Sequence, residues 1–222
     1  MSKVGDGNRV KPLLERRAVA ALDRHLHTQD GRSLSQTSAL VTAATGRYDL
    51  ATALRAAGCR MTYGDLMFGL GAPLAVHSLR AVHAVGAVML PVITRLPFRW
   101  FYDLGEDQLA EPDERFGKYY ERHDIIAGDF LQIRSHMPSD LSGKIFLTNT
   151  TTAADVEELR RRSLHLLVTS TPRLEGRSFG TNVIEAVLLA LIDKPQAKIT
   201  TADLAELIEQ IPIEPGLEVL AR

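Results

Sequence analysis

The chain has 222 residues, 45% hydrophobic and 24% charged, with 26 Lys and Arg against 27 Asp and Glu for a formal charge of −1. That balance excludes a bulk electrostatic pull toward nucleic acid or an anionic membrane, and the length suits one main domain with small appendages. The single Cys59 excludes an internal disulfide and a multi-cysteine zinc site, and the opening MSKVGDGNRVK has no apolar signal core, so a reducing cytoplasm is the expected compartment.

In chain order, Pro12 suits a first helical turn, and LLERRAVAALDRHL places Leu14, Ala18, Ala21 and Leu22 at helical spacing. Residues 1–30 therefore read as an N-terminal helical segment, consistent with the remnant of, or link to, a further N-terminal domain. The run SALVTAATG then reads as a buried strand, RYDLATALRAAG as a helix stopped by Gly58, and CRMTYGD as a second strand. Strand, helix and strand in so short a span make a βαβ unit.

The alternation continues with HDIIAGDF, KIFLTNT and LHLLVTS as strands and LQIRSHM, ADVEELRRR and TNVIEAVLLALI as helices. The expected fold is α/β: a Rossmann-like open parallel sheet of about five strands over residues 31–195, with helices on both faces, because parallel strands need crossover connections. The expected strand order is 2-1-3-4-5, with Leu66 to Arg122 as the crossover between halves. Residues 196–222 read as a C-terminal helix, TTADLAELIEQ, and an extended tail. Between Ala72 and Phe98 the apolar stretch carries His77, Arg80, His83 and Arg95 and is broken by Pro91, which excludes a membrane span. The segment Leu79–Ile93 and the aromatics of PFRWFY (Phe98, Trp100, Phe101 and Tyr102) suit instead a buried face or a homodimer.

Ligands of open parallel sheets sit beyond the carboxyl ends of the strands, where the strand order reverses. At the first such end, TAATGRYD has one glycine, Gly46, beside Arg47, in the place where a dinucleotide pyrophosphate would lie. Asp65 ends the second strand, where an acid accepts hydrogen bonds from a ribose or caps a turn. Asp129 after the third strand, and Thr148 and Asn149 after the fourth, supply further groups for a polyol or ribose, while Thr151 or Thr152 suits the N-cap of the following helix. The seven histidines show no metal-ligand spacing.

GRSFG, Gly176 to Gly180, matches G-x-S-x-G, the turn that presents a nucleophilic serine in many hydrolases. TPRLE separates it from its strand, however, and no histidine follows Ser178. The segment better suits the start of TNVIEAVLLALI, a helix apolar nearly all round and hence expected to be buried. Ser178 or Thr181 would cap it and Asn182 would pair with Glu185, while Arg173 and Arg177 beside a positive helix end form a candidate site for a small anion.

The stretches CRMTYGDLMFGLGAPL, LPVITRLPFRWFY and ADVEELRRRSLHLLVTSTPRLEGRSFGTNVIEAVL together resemble a bacterial family labelled quinate 5-dehydrogenase or shikimate-dehydrogenase-like, over about Asp6 to Leu191. The resemblance implies a dinucleotide-fold domain, NAD or NADP as cofactor and oxidation of a CH–OH group on a cyclic polyol. It assigns no catalytic residue, because the family's catalytic lysine and aspartate belong to a substrate domain whose motif is not found in this chain. The competing expectation is a non-catalytic regulatory module that binds a nucleotide or small anion.

Overall fold

The computed structural model describes residues 5–93, 111–211 and 213–221. Its centre is a six-stranded sheet built from β1 (Ser38–Val41), β2 (Arg60–Tyr63), β3 (Ile125–Ala127), β4 (Ile145–Thr148), β5 (Leu166–Thr169) and a last strand at Gly216–Val219, in the order β2-β1-β3-β4-β5 followed by that last strand. The first five strands are parallel, as the alternation of elements predicts, and the order reverses between β1 and β3. The sixth is the expected extended tail, paired antiparallel to β5 with Leu166 opposite Val219.

The strands are short apolar runs because both faces are covered. Alternate residues Ala39, Val41, Ile125, Ala127, Ile145, Leu147, Leu166 and Val168 join a core with Leu22 and Leu26 of α1 (Lys11–Asp30) and with Leu50 and Leu54 of α2 (Tyr48–Ala56). Their neighbours Leu40, Ile126, Phe146 and Leu167 face the other way. They meet Met67 of α3 (Asp65–Leu70), Tyr120 of α5 (Gly117–Arg122), Ile133 of α6 (Phe130–Ser135), and Val156 and Leu159 of α7 (Ala153–Arg161). The helix α4 (Leu79–Ile93) contributes Val82 to the first core. Thus α1 forms part of the sheet's cover. The expected aromatic cluster at Phe98 to Tyr102 lies outside the described residues.

Between β5 and the tail run a two-stranded ribbon, β6 (Arg173–Leu174) and β7 (Arg177–Ser178), then α8 (Thr181–Leu191) and α9 (Thr201–Gln210); the tail strand is β8. The ribbon turns at Glu175 and Gly176, both with positive φ (52° and 81°), the conformation that a two-residue hairpin matched to strand twist requires. A third core joins Val10 and Leu14 to Ile184, Leu188, Leu204 and Ile208. The expectation of an all-round buried α8 is corrected here. One side packs, but Val183, Val187 and Leu191 form an exposed stripe at 44%, 49% and 59% exposure.

Candidate functional site at the strand-order switch

Where β1 and β3 diverge, their trailing loops come very close. A Cβ on Gly128 would stand 2.1 Å from Thr42 Oγ1, so only glycine fits at this contact. Thr42 in turn donates to Gln132 Oε1 at 3.2 Å. This close approach lies at the strand-order switch, where open parallel sheets form their crevice.

Arg47, just before α2, has its side chain 7% exposed. Its guanidinium bonds Glu15 at 2.7 Å and reaches Asp129 at 3.4 Å. Asp129 caps α6 by accepting from the Leu131 N–H at 3.1 Å, and it also accepts from Asn149 Nδ2 at 3.3 Å. Lys11 closes the other side, donating from Nζ to the Gly46 carbonyl at 2.9 Å. Burial first, and then the Arg47 charge, hold the Lys11 ammonium below its usual pKa. The crevice therefore brings together Gly46, Arg47, Asp129 and Asn149 from the sequence reading and adds Lys11 and Glu15. Glu15 was legible in principle, since it interrupts the apolar face of α1 next to Leu14 and Ala18.

Asp65, expected to end β2, instead opens α3 two residues past the strand, and its side chain turns back to the loop after β1. Its carboxylate accepts from the backbone N–H groups of Ala44 at 3.0 Å and Thr45 at 2.7 Å, and from Thr45 Oγ1 at 2.6 Å. These are donors that a phosphate at this turn would use. Gly46 also lacks the close contact of a dinucleotide turn, because its nearest neighbour to an added Cβ is the Ala43 carbonyl at 3.9 Å. The chain's own Asp65 carboxylate thus takes up these donors. The residues present do not fit NAD or NADP in the usual pose.

Thr148 is buried and donates to the Gly128 carbonyl at 2.9 Å, so it braces the loop after β3 and does not face a ligand. Ser178 answers to the same logic. It is 3% exposed, donates to the Asn149 carbonyl at 3.0 Å and accepts from the Thr151 N–H at 2.7 Å. A serine in a hairpin strand with both roles taken is a strut between β7 and the loop after β4.

The expected anion site beside α8 is differently disposed. Arg173 is held by Glu218 of β8 and by the Gly176 carbonyl at 2.6 Å, whereas Arg177 is exposed with no ion pair among the described residues. Neither Ser178 nor Thr181 caps α8, whose N-cap is Gly180 without a side-chain bond, and the Asn182–Glu185 capping pair is not formed. Glu185 is drawn instead to the start of α1, where it accepts from the N–H groups of Arg9 at 3.2 Å and Val10 at 3.3 Å. Gly7 lies over the first turn of α8: an added Cβ would be 2.8 Å from Thr181 Oγ1 and 2.9 Å from Asn182 N. The expected cap of α7 does form, with Thr152 and Asp155 in a reciprocal box.

A family model described as a domain of unknown function, DUF8754, matches residues 9–220. The chain belongs to this family. No curated protein and no solved structure matches it. The match runs from Arg9, beside Glu185, to Leu220 after β8, so the α1 residues that close the crevice and the added sixth strand fall inside the family's extent. Among the described residues no helix is long and apolar enough to cross a membrane.

Proposed function

We propose that this chain is a non-catalytic small-molecule-binding module of Rossmann-like architecture, whose ligand is a hydroxyl-rich molecule of the size of a cyclic polyol or nucleoside. The observation that carries the reading is the convergence of Lys11, Asp129 and Asn149 at the point where the strand order reverses. An ammonium with donors to spare, a half-exposed carboxylate and an amide give the mixed donors and acceptors that a polyol needs. Arg47 underneath holds Asp129 in place without being available itself.

The second reading is an NAD- or NADP-dependent oxidoreductase of quinate and shikimate dehydrogenase type, in which the cofactor would supply hydride transfer. The strand order favours it, and the inward Asp65 opposes it. The same proposal places the chain in the cytoplasm as a homodimer through the mostly apolar α4, which sedimentation as a monomer at high concentration would refute.

Thermal shift with quinate, shikimate, adenosine, NAD(H) and NADP(H) separates the two readings, since a ligand at 100 times its dissociation constant stabilises by about 2.7 kcal/mol. A polyol or nucleoside is expected to stabilise the chain, and Asn149→Ala to abolish that shift. Stabilisation by a dinucleotide together with hydride transfer to a polyol would replace the first reading with the second. No shift with any of the five would retire both.

A further inference from the structure

An open cavity of about 330 Å³ lies between the end of α2, β2 and the start of α4, lined among others by Arg55, Cys59, Tyr63, His77, Ser78 and Arg80. Its charge is one-sided. Arg55, His77 and Arg80 are all exposed, and none is in an ion pair with a carboxylate among the described residues. Elsewhere the arginines are mostly paired, as in Arg47 with Glu15, Arg134 with Glu158 and Arg173 with Glu218. Two unpaired guanidiniums beside one cavity give it a positive lining that an anion complements.

The start of α4 adds donors. Ser78 precedes the helix and accepts from the Ala81 N–H at 3.2 Å, which leaves the N–H groups of Leu79 and Arg80 without intrahelical acceptors at the positive end of a 15-residue helix. Independently of that helix end, Tyr63 is 1% exposed and lines the cavity, yet its hydroxyl makes no hydrogen bond with any described residue. The hydroxyl is not sealed in, since the fully buried side-chain polar atoms without a partner among the described residues are Arg17 Nε, Ser170 Oγ and Arg173 Nε, so it opens to the cavity and can donate to an anion there. Burial raises the Tyr63 pKa and the nearby Arg55 charge opposes the rise, so the hydroxyl is a neutral donor at physiological pH with a cation close by. The Cys59 thiol is likewise kept protonated by burial and bonds Thr37 at 3.5 Å, so it serves as part of the wall.

We propose that this cavity is a binding site for a small anion, a phosphate monoester or a dicarboxylate, held between the Arg55 and Arg80 guanidiniums with Tyr63 and the first turn of α4 as neutral donors. The site is distinct from the switch crevice and does not depend on what binds there. Its position at the open edge of the sheet makes it reachable from solvent.

The test is calorimetry on the full chain with inorganic phosphate, 3-phosphoglycerate and succinate as probes. At least one is expected to bind, and preference for 3-phosphoglycerate over succinate, or the reverse, decides between phosphate and carboxylate recognition. The double variant Arg55→Gln/Arg80→Gln, at two exposed positions that leave the core untouched, is expected to weaken binding by at least about tenfold, with Tyr63→Phe losing a smaller factor. Asn149→Ala in the switch crevice is expected to leave the same heats unchanged, so failure here and failure of the proposed function are separable. Equal affinity in the double variant, or no heat from any of the three probes, would overturn the site.

Discussion

The Asp65 carboxylate receives the Thr45 backbone N–H at 2.7 Å and the Thr45 hydroxyl at 2.6 Å, so the turn after β1 is organised by an anion belonging to the chain itself. Replacing Asp65 with alanine is expected to destabilise the fold by about 1–3 kcal/mol in urea unfolding, through loss of these charge-assisted bonds. The same variant is expected to bind pyrophosphate more tightly than the parent. A stability unchanged by Asp65→Ala would mean that the turn holds its shape unaided.

Arg47 and Glu15, at 2.7 Å and both nearly buried, make the strongest internal tie in the crevice. Either Arg47→Ala or Glu15→Ala leaves a charge uncompensated and is expected to cost about 3–5 kcal/mol, whereas the double replacement Arg47→Met/Glu15→Leu is expected to recover most of that loss. Equilibrium unfolding of the three variants measures the coupling. Additive losses would show that the two side chains do not act as a pair.

Gly128→Ala is expected to cost about 3 kcal/mol or more, since the new methyl group would overlap Thr42 Oγ1 at a backbone φ of 154°. Thr42→Ala removes the overlapping atoms, so the double variant should regain part of the lost stability while keeping the backbone strain. Thermal midpoints of the single and double variants provide the check. A Gly128→Ala protein as stable as the parent would contradict the close approach of the two loops.

His123 is buried, with Nδ1 donating to the Tyr119 carbonyl at 2.6 Å and Nε2 at 2.8 Å from Thr62 Oγ1. Desolvation by burial holds its pKa below the ordinary value of 6.5. The unfolded chain therefore takes up a proton before the folded one does. Stability from this residue is complete above about pH 6.5 and falls as the pH drops from there through the lower folded pKa. Between pH 7 and 5 the parent is expected to lose stability more steeply than His123→Gln; parallel slopes would exclude the histidine as a source.

Continuous apolar runs such as IIA and IFLT marked strands buried on both faces, and helical stripes between them marked the crossovers, so the parallel sheet was legible from local pattern, and the order 2-1-3-4-5 expected of such a sheet is that of the first five strands. The tail was not. GLEV exposes Leu217 and Val219 and becomes a strand because β5 offers an open edge and because Glu218 meets Arg160 and Arg173, partners distant along the chain. The apolar sequence of α8 indicated burial all round, yet only the side turned to α1 and α9 found partners, which leaves Val183, Val187 and Leu191 exposed.

For the site, the amino-acid sequence by itself determined that Gly46, Asp65, Asp129 and Asn149 follow the carboxyl ends of strands and hence gather at one edge of the sheet. Only the tertiary structure decided which of them face inward. Asp65 is consumed by two backbone N–H groups, Ser178 is locked under Asn149, and α1 contributes Lys11 and Glu15 from a segment that pattern alone set apart. The physical reason is that periodicity reports which face of an element is buried, whereas the partner of a buried charge is chosen by whichever donor or acceptor the folded chain brings within about 3 Å.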